Sequence, residues 1–586
     1  MFEGGTTAVK PRLLVMAGLL IIGVACSPAA GGAGTGTSGQ RATTDTPTRI
    51  VAAISSEPAA VRYAMQAQVA SQTPGVDAIE ELVSAGLGIV DNRGVLRPQL
   101  AETVPSIANG GWTIQADGRM VTTWTLRSGA TWHDGTPITV DDLVFTTELG
   151  RDKELVSFGH PAYAFIERVD GVDARTIRVI WSRTYAFADL MFTASGRFAL
   201  PLPKHLLEQT YRDAPANLSQ SAYWTSEQVG SGPYRLIEWR SASFARMAAF
   251  DGYILGRPKI DEIVVRFIRD PNALQANLLA GEIGMTLGKT LSLEQALQMG
   301  ERWTAGRVEP SPTNWVVIYP QFVDPSPPVV GSLPFREALL YATDRRQLVD
   351  SLMAGSSSVA DTFVTPDELD FPAVQESVVR HLYDPNRAAQ LIESLGYLRG
   401  PEGIFRDALG QPLTVEIRAN AGAGATDLFE KTLLATADFW QKAGVGVSPV
   451  LVPPQQQGDR ASAANFSGFT LTRNPSDARS LGGYLGVNSQ LPENDYRSGS
   501  AGVNRARYMN PEFDGLIDRF LTTVDHDQRL DLLRAVVDHM SGQVIALGLF
   551  YDNEPTMIAN RLHSAKARYR YSTQAWNVQD WTLTND

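Results

Sequence analysis

Cysteine is almost absent from this chain: Cys26 is the only one among 586 residues. No disulfide can close within it, and no cysteine cluster can hold a metal. Long apolar runs are missing too. The leading one, Leu13–Ala25, reaches about 20 Å as a helix, short of the roughly 30 Å hydrocarbon layer, so a permanent membrane span is disfavoured. No basic block occurs, and 51 Lys and Arg against 63 Asp and Glu leave a net charge of −12. Nucleic acid is therefore not an expected partner, because phosphate attraction needs clustered cations. The seven histidines, His133, His160, His205, His381, His526, His539 and His563, form neither HxxxH nor HExxH. A GxSxG elbow, a P-loop and a paired histidine–acid motif are also missing. Neither catalysis, a resident metal nor a cofactor is expected. No fixed period repeats, which argues against a solenoid or propeller.

What is present begins with a leader. Lys10 and Arg12 precede the apolar run, and Ile22-Gly23-Val24-Ala25 before Cys26 resembles a bacterial lipobox, with Gly23 where leucine is usual. Residues 1–25 then read as a signal peptide cut before Cys26, whose sulfur carries lipid. Several acyl chains anchor a protein stably where one is marginal. The alternative is a core cysteine beside a signal. Losing residues 1–25 takes the net charge to −13. Residues 26–47 hold no large apolar side chain, so they read as a flexible, lipidated tether. Folded structure is expected from Thr48 onward.

At 44% apolar and 19% charged, the chain has ordinary globular composition, and its length exceeds one core, so two or three domains are expected. Strand patterns cover Arg49–Ile54, Met120–Leu126, Thr176–Trp181, Ile263–Phe267, Trp315–Tyr319 and Thr414–Ala419. Helical patterns cover Asn272–Ala280, Pro334–Leu352, Pro385–Leu395, Thr426–Ala443 and Gln528–Met540. Thr139-Val-Asp-Asp142 reads as a helix start, and His133-Asp-Gly-Thr-Pro137 as a tight turn rather than a catalytic pair. Gly230-Ser-Gly-Pro233 lacks the third glycine of a dinucleotide fingerprint and reads as a turn between domains.

Seven blocks occur in collinear order: Arg97–Glu102, Thr123–Phe145, Val229–Arg235, Gly256–Phe267, Leu333–Arg345, Tyr383–Tyr397 and Arg507–Asp518. Together, from about Ile50 to Phe550, they resemble solute-binding protein family 5, the extracytoplasmic oligopeptide-, dipeptide- and nickel-binding components of ABC importers. The resemblance implies an α/β, two-lobed periplasmic-binding-protein-like fold (class II, cluster C type) with an extra subdomain. Lobe one would cover 48–305 plus 551–586, with the subdomain at about 90–225, and lobe two 306–550. The implied function is a receptor on the outer face of a bacterial membrane, held by lipid at Cys26. It would capture a peptide-like or other polar organic solute and deliver it, as a monomer, to an ABC permease. A secreted lipoprotein hydrolase and a surface receptor that lost transport stay open as alternatives, as does a metal-chelate or haem ligand.

The ligand would lie between the lobes, on apolar and aromatic walls with a few placed polar groups. Ser56 and Glu57 follow the first strand, where the family's loop approaches ligand. Trp315 and Tyr319 share one strand face, open equally to core and cleft. Thr470, Leu471, Thr472, Arg473 and Asn474 occupy the family's ligand-lining stretch. Peptide receptors commonly carry Trp-x-Ala-Asp-Tyr there, the aspartate holding the α-ammonium. Leu471 stands in place of that aspartate, which puts peptide specificity in doubt, while Arg473 offers a donor fork for an anion or for a structural salt bridge. Tyr484, with Tyr496 and Arg497, lies in the Gly-, Ser- and Asn-rich stretch 482–503. Trp576 and Trp581 pack on lobe one or touch the cleft.

Overall fold

A computed structural model describes residues 47–584 except 64, 66–72, 156, 157, 159, 160, 195–199, 422–425, 458, 477 and 487–503. The expectations on the leader, Cys26, the tether up to Thr46, Tyr496 and Arg497 lie outside the described residues. Residues 47–586 cluster as one compact unit.

Arg49-Ile-Val-Ala-Ala-Ile54 is a nearly continuous apolar run, as a strand buried on both faces requires. It is β1 of a ten-stranded sheet. The others are β2 (Tyr234–Arg240), β3 (Phe244–Ala249), β4 (Glu262–Phe267), β5 (Met285–Thr286) and β6 (Gly306–Pro320). Then follow β7 (Thr414–Asn420), β8 (Gly446–Val452), β9 (Phe469–Pro475) and β10 (Leu547–Ala559). Their order is β8-β7-β9-β6-β10-β5-β1-β4-β3-β2. β1 runs parallel to β4 and β5, whereas β6 runs antiparallel to both β9 and β10.

β6 and β10 are the long members, 15 and 13 residues, and together they join two bodies. Residues 306–312 of β6 pair with 553–559 of β10, and after a register shift at Pro312/Asn314 the pairing continues with 547–552. Prolines 310, 312 and 555 sit in this middle stretch and donate no ladder hydrogen bonds. One body packs Ile50, Ile54, Ile79, Val265, Ile558 and Trp581 into one core and Leu274, Met299, Trp303 and Met557 into another. The other builds two cores on the far half of the sheet, around Phe335, Trp440 and Phe469 and around Trp315, Ile517 and Tyr551. The fold is two-lobed and α/β.

A subdomain rests on the first lobe. Its antiparallel sheet orders Trp112–Ile114, Met120–Thr125, Thr176–Trp181 and Ile166–Gly171 over a core that buries Trp124, Trp132 and Trp181. His133 pins it down. Gly230 N–H donates to its Nδ1 at 3.1 Å and its Nε2 meets the Gly232 carbonyl at 3.0 Å. Burial depresses this imidazole to about 4, so the ring is a neutral strut. Its neighbour Asp134 turns away to His205, 2.8 Å distant. Glycine is obligatory opposite, since a Cβ on Gly230 would lie 1.8 Å from the Val83 carbonyl oxygen.

Helix starts follow their capping residues. Thr139 and Asp142 form a reciprocal capping box on the helix Val140–Arg151. The single helix expected over Pro334–Leu352 is two, Leu333–Ala342 and Arg345–Leu352. Thr343 turns extended, and Asp344 caps the second helix by accepting from Gln347 N–H at 2.9 Å. Local capping overrode a periodic apolar pattern.

Helix α1 (Val76–Val83) lies under the C-terminal segment, where the Thr573 hydroxyl bonds the Glu81 carboxyl. Burial pushes that carboxyl up from 4.5 to about 8, outweighing the Thr573 hydrogen bond. Between these values the folded protein keeps a proton that the unfolded chain has released, so this group's contribution falls as pH rises. Glu81→Gln should therefore flatten the decline in melting temperature between about pH 5 and about pH 8, by about a few degrees. Thermal melts of both proteins at the two pH values check this; parallel pH profiles would refute it.

Candidate functional site

The middle of β10, Asp552-Asn553-Glu554, is a polar triplet inside a strand with no exposed residue. Buried carboxylates need partners, and these come from both lobes. Lys289, in the loop after β5, donates from Nζ to both Asp552 oxygens at 2.7 and 2.9 Å. Arg473, near the end of β9 in the second lobe, reaches Asp552 Oδ2 at 3.5 Å. Glu554 accepts from Gln574 Nε2 at 2.9 Å and lies 4.0 Å from Arg568, which also pairs with Asp77 of α1 at 2.8 Å. Burial raises the Glu554 carboxyl, with Arg568 opposing. Burial works against the Arg568 charge, but Asp77 and Glu554 outweigh it and hold the guanidinium ionised.

The C-terminal segment carries contacts onward to the second lobe. Arg570 bonds Thr365 Oγ1 at 2.7 Å and pairs with Glu368 at 2.8 Å, both side chains nearly buried. Tyr571 donates to Glu368 at 3.3 Å, and the Arg479 guanidinium covers its ring at 3.7 Å. The subdomain also touches the second lobe. Arg183 meets Asp518 at 2.7 Å and the Ala186 N–H donates to the Leu521 carbonyl at 2.8 Å. The lobes thus meet at the β6–β10 ribbon, at Arg570 and at the subdomain rim.

The residues singled out from sequence scatter. Ser56 bonds the Thr73 hydroxyl at 3.1 Å. Glu57 takes Trp239 Nε1, the Ser241 hydroxyl and the Ala242 N–H at 2.9, 3.0 and 2.8 Å. Burial opposes its ionisation, yet these donors and Arg269 lower its pKa, so the carboxylate serves the β2–β3 turn. Leu471 is 3% exposed, packed in the core beside Phe469. Trp315 and Tyr319 are 2% and 1% exposed, under the helices of the second lobe. Tyr319 and Tyr484 share a hydrogen bond of 2.8 Å, and Asn474 Nδ2 donates to Tyr319 at 2.7 Å, which brings three of the named residues together inside that lobe. Thr470 and Thr472 pair with Tyr319 and Val317 in the ladder. Trp581 is buried in the first lobe and bonds Asn577. Of these residues, Arg473 reaches the Asp552 carboxylate at the junction of the lobes.

Sequence reasoning missed Lys289, Asp552, Glu554, Arg568, Arg570 and Glu368. One signal was available: three polar residues interrupting the apolar run from Leu547 to Ala559. The partners carried none, since single charges in loops look solvated. No group of His, Cys, Asp and Glu suited to a metal occurs among the described residues.

Comparison with known proteins agrees with this architecture. The family model described as bacterial extracellular solute-binding proteins, family 5 middle, matches residues 102–488. A putative ABC transporter peptide-binding protein of Brucella ovis is 27% identical over 274 residues, 46% of this chain and 48% of that protein. The chain thus matches about half the length of that relative. The oligopeptide-binding protein AppA of Bacillus subtilis is 22% identical over 517 residues, 86% of this chain and 87% of its own. The oligopeptide-binding protein of Thermus thermophilus, solved with a pentapeptide, superposes with a TM-score of 0.70 at 22% identity, covering 91% of this chain and 96% of that one. NikA of Brucella suis, solved with Fe(III)-EDTA, gives 0.70 at 16% identity, covering 92% and 100%. With two lobes on one continuous sheet and two thirds of its length matched by the family model, the chain belongs to the bacterial extracellular solute-binding proteins, family 5.

Proposed function

We propose that this protein is the extracytoplasmic receptor of an ABC importer, which closes two lobes on a peptide-like or other polar organic solute and presents the closed form to a permease. The observation that carries this reading is the convergence of Lys289, Arg473 and Arg568, from both lobes, on the polar middle of β10. A ligand that contacts both lobes favours closure by its difference in affinity for the two forms. The relatives named for peptide binding support the solute class. Lobe one then comprises about 48–305 and 551–586, with the subdomain at about 90–225, and lobe two about 306–550. We take the hinge to run through Pro312–Asn314 and Asp552–Asn553, where the register shifts and the prolines thin the ladder. A thermal-shift screen with peptides, sugars, metal chelates and haem tests the reading. A true ligand raises the melting temperature by mass action, and conversion of a bound compound into product would refute the receptor reading.

Closure also rests on Arg570. Removing one partner of a buried ion pair costs about 3–5 kcal/mol where the other charge stays buried. Opening the lobes relieves that cost by hydrating Glu368. Arg570→Ala should therefore populate the open form, with a larger radius of gyration by X-ray scattering of ligand-free protein and a weaker apparent affinity. A scattering profile identical to wild type would sink this role.

The lipid anchor at Cys26 is part of the same reading, since a tether keeps the receptor near its importer and raises its effective concentration there. Replacing Cys26 with Ser should release the protein from membranes and leave ligand affinity intact. Retention in the membrane fraction counts against lipidation.

A further inference from the structure

At the lobe junction Asp552 faces two cations, Lys289 and Arg473. Asp552 is 1% exposed, and both its oxygens are bonded to Lys289. One carboxylate and one ammonium already balance. Arg473 adds a second cation, and its only contact with that carboxylate is a single edge at 3.5 Å. Its side chain remains 37% exposed, against 14% for Lys289. No acid occurs between Phe466 and Ser476 to neutralise it from its own strand. Among the buried hydroxyl oxygens without a hydrogen-bond partner in the described residues, two adjoin these cations in sequence. They belong to Thr290, next to Lys289, and to Ser476, three residues beyond Arg473. Buried polar atoms are ordinarily satisfied, and these two are donors.

We infer that the solute presents a carboxylate to Arg473, with its negative group, not a positive one, fixing its orientation in the cleft. This rests on the receptor reading and names the chemistry that the same site takes. Closing the lobes removes water from Arg473, and a desolvated guanidinium is costly unless paired. Its planar fork matches a carboxylate through two parallel N–H donors. Leu471, buried in the apolar core, offers nothing to an ammonium. Asp552 holds Lys289 away from the solute and so leaves the recognition to Arg473.

Calorimetric titration of the full-length protein with pentapeptides in three forms tests this: free acid, C-terminal amide and N-acetylated. Citrate serves as a carboxylate without a peptide. Amidation should weaken binding about tenfold or more, and acetylation should change it by less than about twofold. In Arg473→Gln the free acid should bind as weakly as the amide, and Arg473→Lys should recover part of the difference. Unchanged melting of both variants without ligand shows that they fold. Citrate binding that Arg473→Gln abolishes supports the same inference with an organic acid as the source. Equal affinity for acid and amide, or loss of binding on acetylation, would overturn it. So would wild-type affinity in Arg473→Gln. If no form of any probe binds the wild type, the solute class proposed for the receptor fails instead, before the question of polarity arises.

Discussion

Asp552 and Glu554 sit inside the ribbon formed by β6 and β10, in a strand with no exposed residue. Two carboxylates there are tolerated only because cations from separate parts of the chain reach them. Lys289 arrives from the first lobe, Arg473 from the second, and Arg568 from the C-terminal segment. The ribbon is also the continuous covalent and hydrogen-bonded path between the lobes. Its polar middle joins the mechanical connection of the lobes to the chemistry between them.

The same economy appears in the C-terminal segment. Arg568, Arg570, Tyr571, Thr573 and Gln574 bond in turn to α1, to the second lobe and to β10. A short stretch thereby contacts the first lobe, the second lobe and the ribbon that joins them. Buried ion pairs of this kind add little net stability, because desolvation offsets the Coulomb gain. They do specify geometry, since a misplaced partner leaves a charge stranded. Apolar cores such as that of Phe335, Trp440 and Phe469 supply the cohesion within each lobe.

Much of the fold was legible along the chain. The strands at Arg49–Ile54 and Thr176–Trp181 and the helix Thr426–Ala443 match their sequence limits, because each reports a local apolar pattern. The helix broken at Thr343-Asp344 shows the reverse case, in which a capping residue competes with periodicity inside one window. The site was far less legible. Trp315 and Tyr319 carry the right residue types on the right face, yet both are core, because the helices that cover them come from residues up to about 220 positions away. Glu57 looked like a cleft acid and is held by a turn some 180 residues distant.

The sequence by itself determined the class of the protein, through a collinear set of family 5 blocks around a mixed α/β pattern. Those features are local, and local steric and apolar preferences encode them. Only the tertiary structure decided which charges meet. Lys289 and Asp552 are 263 residues apart, and Arg570 and Thr365 are 205 apart. Coulomb and hydrogen-bond energies depend on distances of a few ångströms in a desolvated setting, and separation along the chain carries no information about either.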